Sequence, residues 1–225
     1  VKPLAIDLFC GLGGWTDGLL AEGWDVVGFD IEQHIYGDAR YPAQMVVQDV
    51  LTLHGSQFRE AGLIVASPPC QAYSYRAMPW SRAKALPPPD NSLFEACFRI
   101  QREAVSAAGH HIPMIVENVR GANKWVGRSR WNYGSFYLWG DVPALMPSTK
   151  TIQSASVDHK APGVKQPGIS GKRDNGQGDK WFQDGAARHG SKSSARKAAS
   201  AMIAKIPLPL SRYIAHHFYP EPLHD

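Results

Sequence analysis

At 225 residues, with 44% hydrophobic and 10% aromatic residues, the chain can build one sizeable core and a small appended lobe. It has no apolar run of membrane-spanning length and no basic-then-apolar leader at its start, and its three cysteines (Cys10, Cys70, Cys97) cannot pair completely, so nothing suggests a secreted disulfide scaffold and a reducing, cytoplasmic setting is the default expectation. The net charge of +4 leans mildly towards a polyanionic partner.

In chain order, Leu4 to Phe9 reads as a first strand ending in Gly11-Leu12-Gly13-Gly14. A helix follows from about Trp15 to Glu22, with Leu19 and Leu20 as its core face. Val26 to Phe29 is a second strand closing on Asp30, and Met45 to Val47 a third closing on Asp49. Leu63 to Ala66 is a fourth, running into Ser67-Pro68-Pro69-Cys70-Gln71. Residues 79–89 are proline-rich and read as a mobile loop. A long helix spans about Leu93 to Ala108, with Phe94, Cys97, Ile100 and Val105 at helical spacing. Met114 to Val116 is a fifth strand closing on Glu117-Asn118, and Phe136 to Leu138 a further apolar strand. Strands that alternate with helices and are apolar throughout predict an α/β fold with a buried parallel sheet and crossover helices.

Between Lys150 and Lys197 ten Lys and Arg stand against four Asp, in a stretch rich in Gly and Ser. That composition reads either as a solvated insertion or as a surface for phosphate backbones. The organisation follows: residues 1–140 form the core, 141–195 a short basic segment, and 196–225 a segment returning to the core.

The strand ends carry the chemistry. A glycine turn, Asp30, Asp49, Cys70 and Glu117 occupy successive carboxyl ends, the edge where open α/β sheets bind ligands. The two prolines stop the fourth strand and stiffen a loop that presents Cys70, either as a nucleophile or as a small buried hydrophobe. The glycine turn and an acid after the second strand fit a nucleoside-containing cofactor. The spacing Gly11-x-Gly13-Gly14 is not G-x-G-x-x-G, and a hydride-transfer enzyme would leave the Pro-Pro-Cys loop unexplained.

Asp7-Leu8-Phe9-Cys10-Gly11-Leu12-Gly13-Gly14, Ser67-Pro68-Pro69-Cys70-Gln71 and Glu117-Asn118-Val119 resemble the first, fourth and sixth signature motifs of the DNA (cytosine-5)-methyltransferase family. Ile206 to Ala215 is similar to that family's last motif, a helix completing the cofactor pocket. The resemblance implies a Rossmann-like sheet of the S-adenosylmethionine-dependent kind, with helices on both faces and a small loop-rich basic insertion. It implies that Cys70 adds to C6 of cytosine and that Glu117 contacts N3 and the exocyclic amine. The methyl donor would be S-adenosylmethionine, leaving S-adenosylhomocysteine. Phe9, Gly11, Leu12, Gly13 and Gly14 would line its methionine and ribose side. Asp30 would bind the ribose hydroxyls, Ile31 would pack on adenine, Asp49 would accept from the adenine amine beside Val50, and Leu93 would add apolar contact. Arg128-Ser129-Arg130 resembles an Arg-x-Arg element of the family, with Arg130 the choice for the cytosine carbonyl and phosphate contact the alternative.

Two departures stand out. The family's recognition region is a sizeable lobe, whereas here only the basic segment is available, and Ala204-Lys205 stand where the last motif usually carries an asparagine. The partner implied is DNA, as a duplex with the target cytosine flipped out, acted on by a metal-free monomer of bacterial or viral origin, for instance in restriction-modification. The loop after Tyr73, with Trp80 or Arg82, would close over the base, and Trp181 and Phe182 would stack on a strand or anchor a small cluster. RNA or single-stranded DNA as substrate, or a silent DNA-binding homologue, are the alternatives.

Overall fold

The computed structural model describes residues 1–73, 87–146, 197–198, 201–202 and 204–220. The loop expected over the flipped base, Trp80, Arg82, Trp181, Phe182 and nearly all of the basic stretch fall outside the described residues. Seven strands form one sheet: β1 (Leu4–Leu8), β2 (Asp25–Asp30), β3 (Gln44–Val47), β4 (Ala61–Ala66), β5 (Met114–Asn118), β6 (Trp131–Tyr133) and β7 (Phe136–Gly140), in the order β3-β2-β1-β4-β5-β7-β6. The helices are α1 (Gly14–Ala21), α2 (Ser92–Ala108), the four-residue α3 (Asn123–Val126) and α4 (Leu208–His217).

The apolar runs are continuous because both faces of the sheet are covered. Ile6, Leu8, Ile64, Ala66, Met114 and Val116 pack with Phe94, Cys97, Ile100 and Ala104 of α2. The alternate residues Ala5, Leu63, Val65 and Ile115 face the other way, against Trp15 and Leu19 of α1 and Leu210 and Ile214 of α4. Successive side chains of a strand point to opposite faces, so one uninterrupted apolar string supplies two cores. Leu20, expected on the core face of α1, is 39% exposed; the buried pair is Trp15 and Leu19, one helical turn apart. On α2, Val105 is only partly buried and Ala104 takes the core position.

The sheet is not wholly parallel, as its pattern had predicted. β1 to β5 pair in parallel, but β7 runs antiparallel to both β5 and β6. Only Gly134 and Ser135 separate β6 from β7, too few residues for a crossover, and Gly134 takes φ 54° to make the reversal. β6 is three residues long and had no signature of its own. Between β3 and β4 the chain makes two 3-10 turns, Val50–Thr52 and Gly55–Phe58, rather than a crossover α-helix.

Helix α4 lies directly on α1 through two glycines. A Cβ on Gly14 would stand 2.3 Å from the Ile206 nitrogen, and one on Gly18 would stand 2.4 Å from the Ser211 carbonyl carbon. Glycine in a helix normally costs about 1 kcal/mol against alanine, so Gly18→Ala on an open helix face would be stabilising. Here the methyl would meet backbone. Gly18→Ala is expected to lower stability by about 2 kcal/mol, read from thermal or urea unfolding; a higher melting temperature would mean that α4 does not seat there.

Candidate active site

Chain direction reverses its lateral course between β1 and β4, which are neighbours in the sheet although three strands apart in sequence. Ligands of such sheets bind outside the carboxyl ends at this switch point. The glycine turn leaves β1 on one side of it, and the Cys70 loop leaves β4 on the other.

The Cys70 loop is held at each end. Ser67 donates its N–H to the Leu8 carbonyl (3.1 Å), and its hydroxyl accepts from the Trp15 indole (3.0 Å). The prolines present no N–H to satisfy, and the Pro68 carbonyl accepts from the Asn118 side-chain amide at 2.9 Å. Asn118 also accepts from the Val119 N–H (2.8 Å), so one buried side chain joins the end of β5 to the loop after β4. Beyond Cys70 a 3-10 turn, Gln71–Tyr73, closes with the Tyr73 N–H donating to the Cys70 carbonyl, and the Tyr73 hydroxyl donates to Asn91. Cys70 itself is half-buried. Glu117 is buried in β5, directly opposite Leu138 of β7.

The three thiols are not equivalent. Burial pushes Cys97 up to about 12, and burial followed by the charges of Asp7 and Asp30 raises Cys10 further still. The thiolate is the nucleophilic form, so neither serves as one near neutral pH. Cys70, at the sheet edge, is the remaining candidate.

The glycine turn takes an unusual course. Phe9 (φ 57°), Gly11 (φ 49°) and Gly13 (φ 75°) all sit in the left-handed region, and Phe9 is the one non-glycine there among the described residues. The turn swings the Gly11 N–H onto the Asp30 carboxylate (2.9 Å), whose other oxygen accepts from the Ile31 N–H (2.8 Å). A Cβ on Gly11 would meet nothing within 4 Å among the described residues, while Asp30 is buried with His34 Nε2 3.8 Å from its carboxylate. Gly13, in contrast, is roofed by Pro42, whose Cδ would lie 2.5 Å from an added Cβ.

Other expected cofactor residues are placed as follows. Leu12 and Gly14 are buried, the latter against Ile206. Ile31 is 68% exposed beside Asp30, the apolar surface an adenine ring would need. Asp49 caps the 3-10 turn after β3 by accepting from the Leu51 N–H (2.9 Å). Val50 lies inside the core with Phe29 and Phe58, and Leu93 is half-buried in the first turn of α2. Arg130 is exposed; its N–H donates to Leu138, which places it two strands across from Glu117. Among the described residues, no group of three His, Cys, Asp or Glu is arranged to hold a metal ion.

The sequence reading missed the buried group beneath the turn. Tyr41 lies over Gly28, where a Cβ would come 2.4 Å from its ring, and its hydroxyl reaches the Thr16 hydroxyl (2.7 Å). Thr16 donates to Asp7 (2.6 Å), whose other oxygen has no partner among the described residues. The lone acid in the apolar run Leu4 to Phe9 was the available signal. Burial pushes the Asp7 carboxyl up to about 8 against the counteracting Thr16 bond, with the Asp30 charge adding to the rise.

The family model for C-5 cytosine-specific DNA methylases matches residues 4–125, more than half of the chain. The chain belongs to that family. Its seven-stranded sheet with helices on both faces is the Rossmann-like sheet expected of it. The match ends before Arg130, so this arginine stands outside the part of the chain the family model describes. Among solved structures, a protein described as a DNA modification methyltransferase encoded within an E. coli prophage is 25% identical, with TM-score 0.37 over 54% of this chain and 33% of that one. A Spodoptera frugiperda DNMT2 mutant is 17% identical, with TM-score 0.36 over 55% and 37%. The Entamoeba histolytica methyltransferase EhMeth is 18% identical, with TM-score 0.36 over 55% and 40%. The chain thus spans between a third and two fifths of the length of these structures, and the assignment rests on the family match. No curated protein matches the chain.

Asp7 gives the family's motif a pH signature here. The folded carboxyl keeps its proton to about pH 8, whereas an unfolded Asp loses it near pH 4. Between those values the unfolded state binds fewer protons, so this residue's contribution to stability falls as pH rises from about 4 to about 8. Asp7→Asn removes that decline. Its melting temperature relative to the parent chain is expected to climb between pH 5 and pH 8; parallel curves would show that Asp7 titrates normally.

Proposed function

We propose that the chain transfers a methyl group from S-adenosylmethionine to C5 of a cytosine in DNA, through a covalent adduct between Cys70 and C6 of a flipped-out base. The observation that carries this reading is the Asn118 bridge, which joins the Cys70 loop to the neighbouring strand end bearing Glu117, beside the switch point of the sheet. Phe9, Gly11, Leu12, Gly13, Gly14, Asp30, Ile31, Asp49, Val50 and Leu93 are the candidate cofactor residues. The free space beside Gly11, the neighbouring Asp30 carboxylate and the exposed apolar Ile31 suit a nucleoside. When bound, the cofactor supplies an electrophilic methyl group.

Cytosine C5 is a weak nucleophile. Addition of the Cys70 thiolate at C6 forms a C–S bond and moves the ring electrons to C5, which can then attack carbon. Glu117, hydrogen-bonded at N3, offsets the charge gathering on the ring. After methylation, loss of the C5 proton to a base expels the thiolate and restores the ring. Arg130 would support the cytosine carbonyl, residues 1–140 would form the catalytic core, 141–195 the recognition segment, and 196–225 the return to the core. Duplex DNA, a monomeric state and a cytoplasmic setting belong to the same reading.

A duplex carrying 5-fluorocytosine tests the chemistry, because fluorine blocks the final elimination. With S-adenosylmethionine, an adduct that survives a denaturing gel is expected, and it should vanish in Cys70→Ala. A Cys70→Ala chain that still transfers methyl groups would overturn the assignment. Glu117→Gln should reduce the transfer rate by about 10² or more while DNA affinity changes little; an unchanged rate would take Glu117 out of the mechanism.

A further inference from the structure

The chain between Glu117 and Asp141 contains no carboxylate, yet it carries Arg120, Lys124, Arg128 and Arg130. All four are exposed. Several basic side chains elsewhere in the fold have acidic partners: Arg99 with Glu103, Lys205 with Asp17, Arg212 with Glu22, Arg59 with Glu60. Among the described residues, none of these four lies within the 4.0 Å that marks an ion pair. Lys124 instead lies over the Trp125 ring, 4.3 Å from its centre.

This ridge has a fixed backbone. Arg120 to Ala122 form a 3-10 turn packed on the one that follows Cys70; a Cβ on Gly121 would stand 2.1 Å from the Tyr73 carbonyl oxygen. The Asn123 amide donates to the Arg120 carbonyl (3.0 Å) and its oxygen accepts from the Ser129 N–H (2.6 Å), closing the segment on itself. The Trp139 indole donates to the Gly127 carbonyl (2.9 Å), and the Arg130 N–H to Leu138 (2.8 Å), fastening it to β7. A fixed segment whose exposed cations have no counter-charge among the described residues, tied to the nucleophile's own loop, is suited to the phosphates of a strand.

We propose that Arg120, Lys124 and Arg128 form a phosphate-binding rail for the nucleic-acid strand whose cytosine enters beside Cys70 and Glu117. The rail rests on the methyl-transfer reading for where the base goes, but it gives strand positioning to the structured core rather than to the basic stretch 150–197. Each phosphate a cation neutralises releases counterions, so the rail has a thermodynamic signature separate from catalysis.

The test is fluorescence-anisotropy titration of a labelled duplex by the full chain between about 50 and 200 mM NaCl. The native chain is compared with Arg120→Gln/Lys124→Gln and with the charge-preserving Arg120→Lys/Lys124→Arg. The neutral pair is expected to flatten log K against log[salt] by about 1.8, or about 1.4 on a single strand, while the charge-preserving pair keeps the native slope. S-adenosylmethionine affinity measured by calorimetry on each variant reports that the core is intact; if the double variant fails there, the single variants are expected to flatten the slope by about 0.9 each. An unchanged slope in a cofactor-binding variant overturns the rail. A flattened slope with no fluorocytosine adduct from the native chain would keep the rail and reject methyl transfer; an adduct with an unmoved slope would do the reverse.

Discussion

Where the parallel strands run out, their backbone groups have no neighbouring strand to bond. The structure meets this at the carboxyl edge with side chains, some reaching over from a neighbouring strand or from α1 and some closing their own strand end. Asp30 accepts from Gly11 and Ile31, Asn118 spans Pro68 and Val119, Asp49 takes the Leu51 N–H, and Trp15 reaches Ser67. Each bond adds only about 1 kcal/mol, but leaving a buried group unpaired costs about 1–3 kcal/mol. The edge is therefore held more by what its alternatives cost than by what each bond gains. Loops from separate strands are locked to one another as a result, and a thiol, a carboxylate and a glycine turn far apart in the chain keep a common frame.

The same edge sets apart two neighbouring acids. Asp30 has two N–H donors and His34 Nε2 at 3.8 Å; Asp7, one strand over and more deeply buried, has a single hydroxyl. Burial favours the neutral form of Asp7, which then sits under the turn as a hydrogen-bonding group without a charge to solvate. Two like charges beneath one glycine turn would repel, and their different environments avoid this.

Much of this was legible in the chain. Short apolar runs ending in Gly, Asp, Cys or Glu located five strands and their chemical ends, because in a doubly covered sheet burial and strand length leave little else. The hairpin β6–β7 was not legible as a pair: Trp131–Tyr133 is too short to show a period, and its direction is fixed by the two-residue turn before β7. Leu20 was misplaced because adjacent leucines on a helix point about 100° apart, and the identity of the partner face decides which one is covered. The Tyr41–Thr16–Asp7 group joins residues from three elements, and no local pattern encodes a contact of that kind. Asp30 and Asp49 could be read either as ligands or as turn-closing acids; both do close turns, and Asp30 also holds the Gly11 N–H of the glycine turn.

The seating of α4 on α1 brings together groups some 190 residues apart in sequence, as in the Arg212–Glu22 and Trp24–Ala215 contacts. The segment between β7 and α4 is thus anchored to the core at both ends. The entropy of closing a segment so held grows only with the logarithm of its length, so doubling that length would cost about 0.6 kcal/mol. Lengthening, shortening or exchanging that segment is nearly free for the sheet that holds its two ends. A chain built on this plan can therefore vary there while the geometry of its sheet edge stays unchanged.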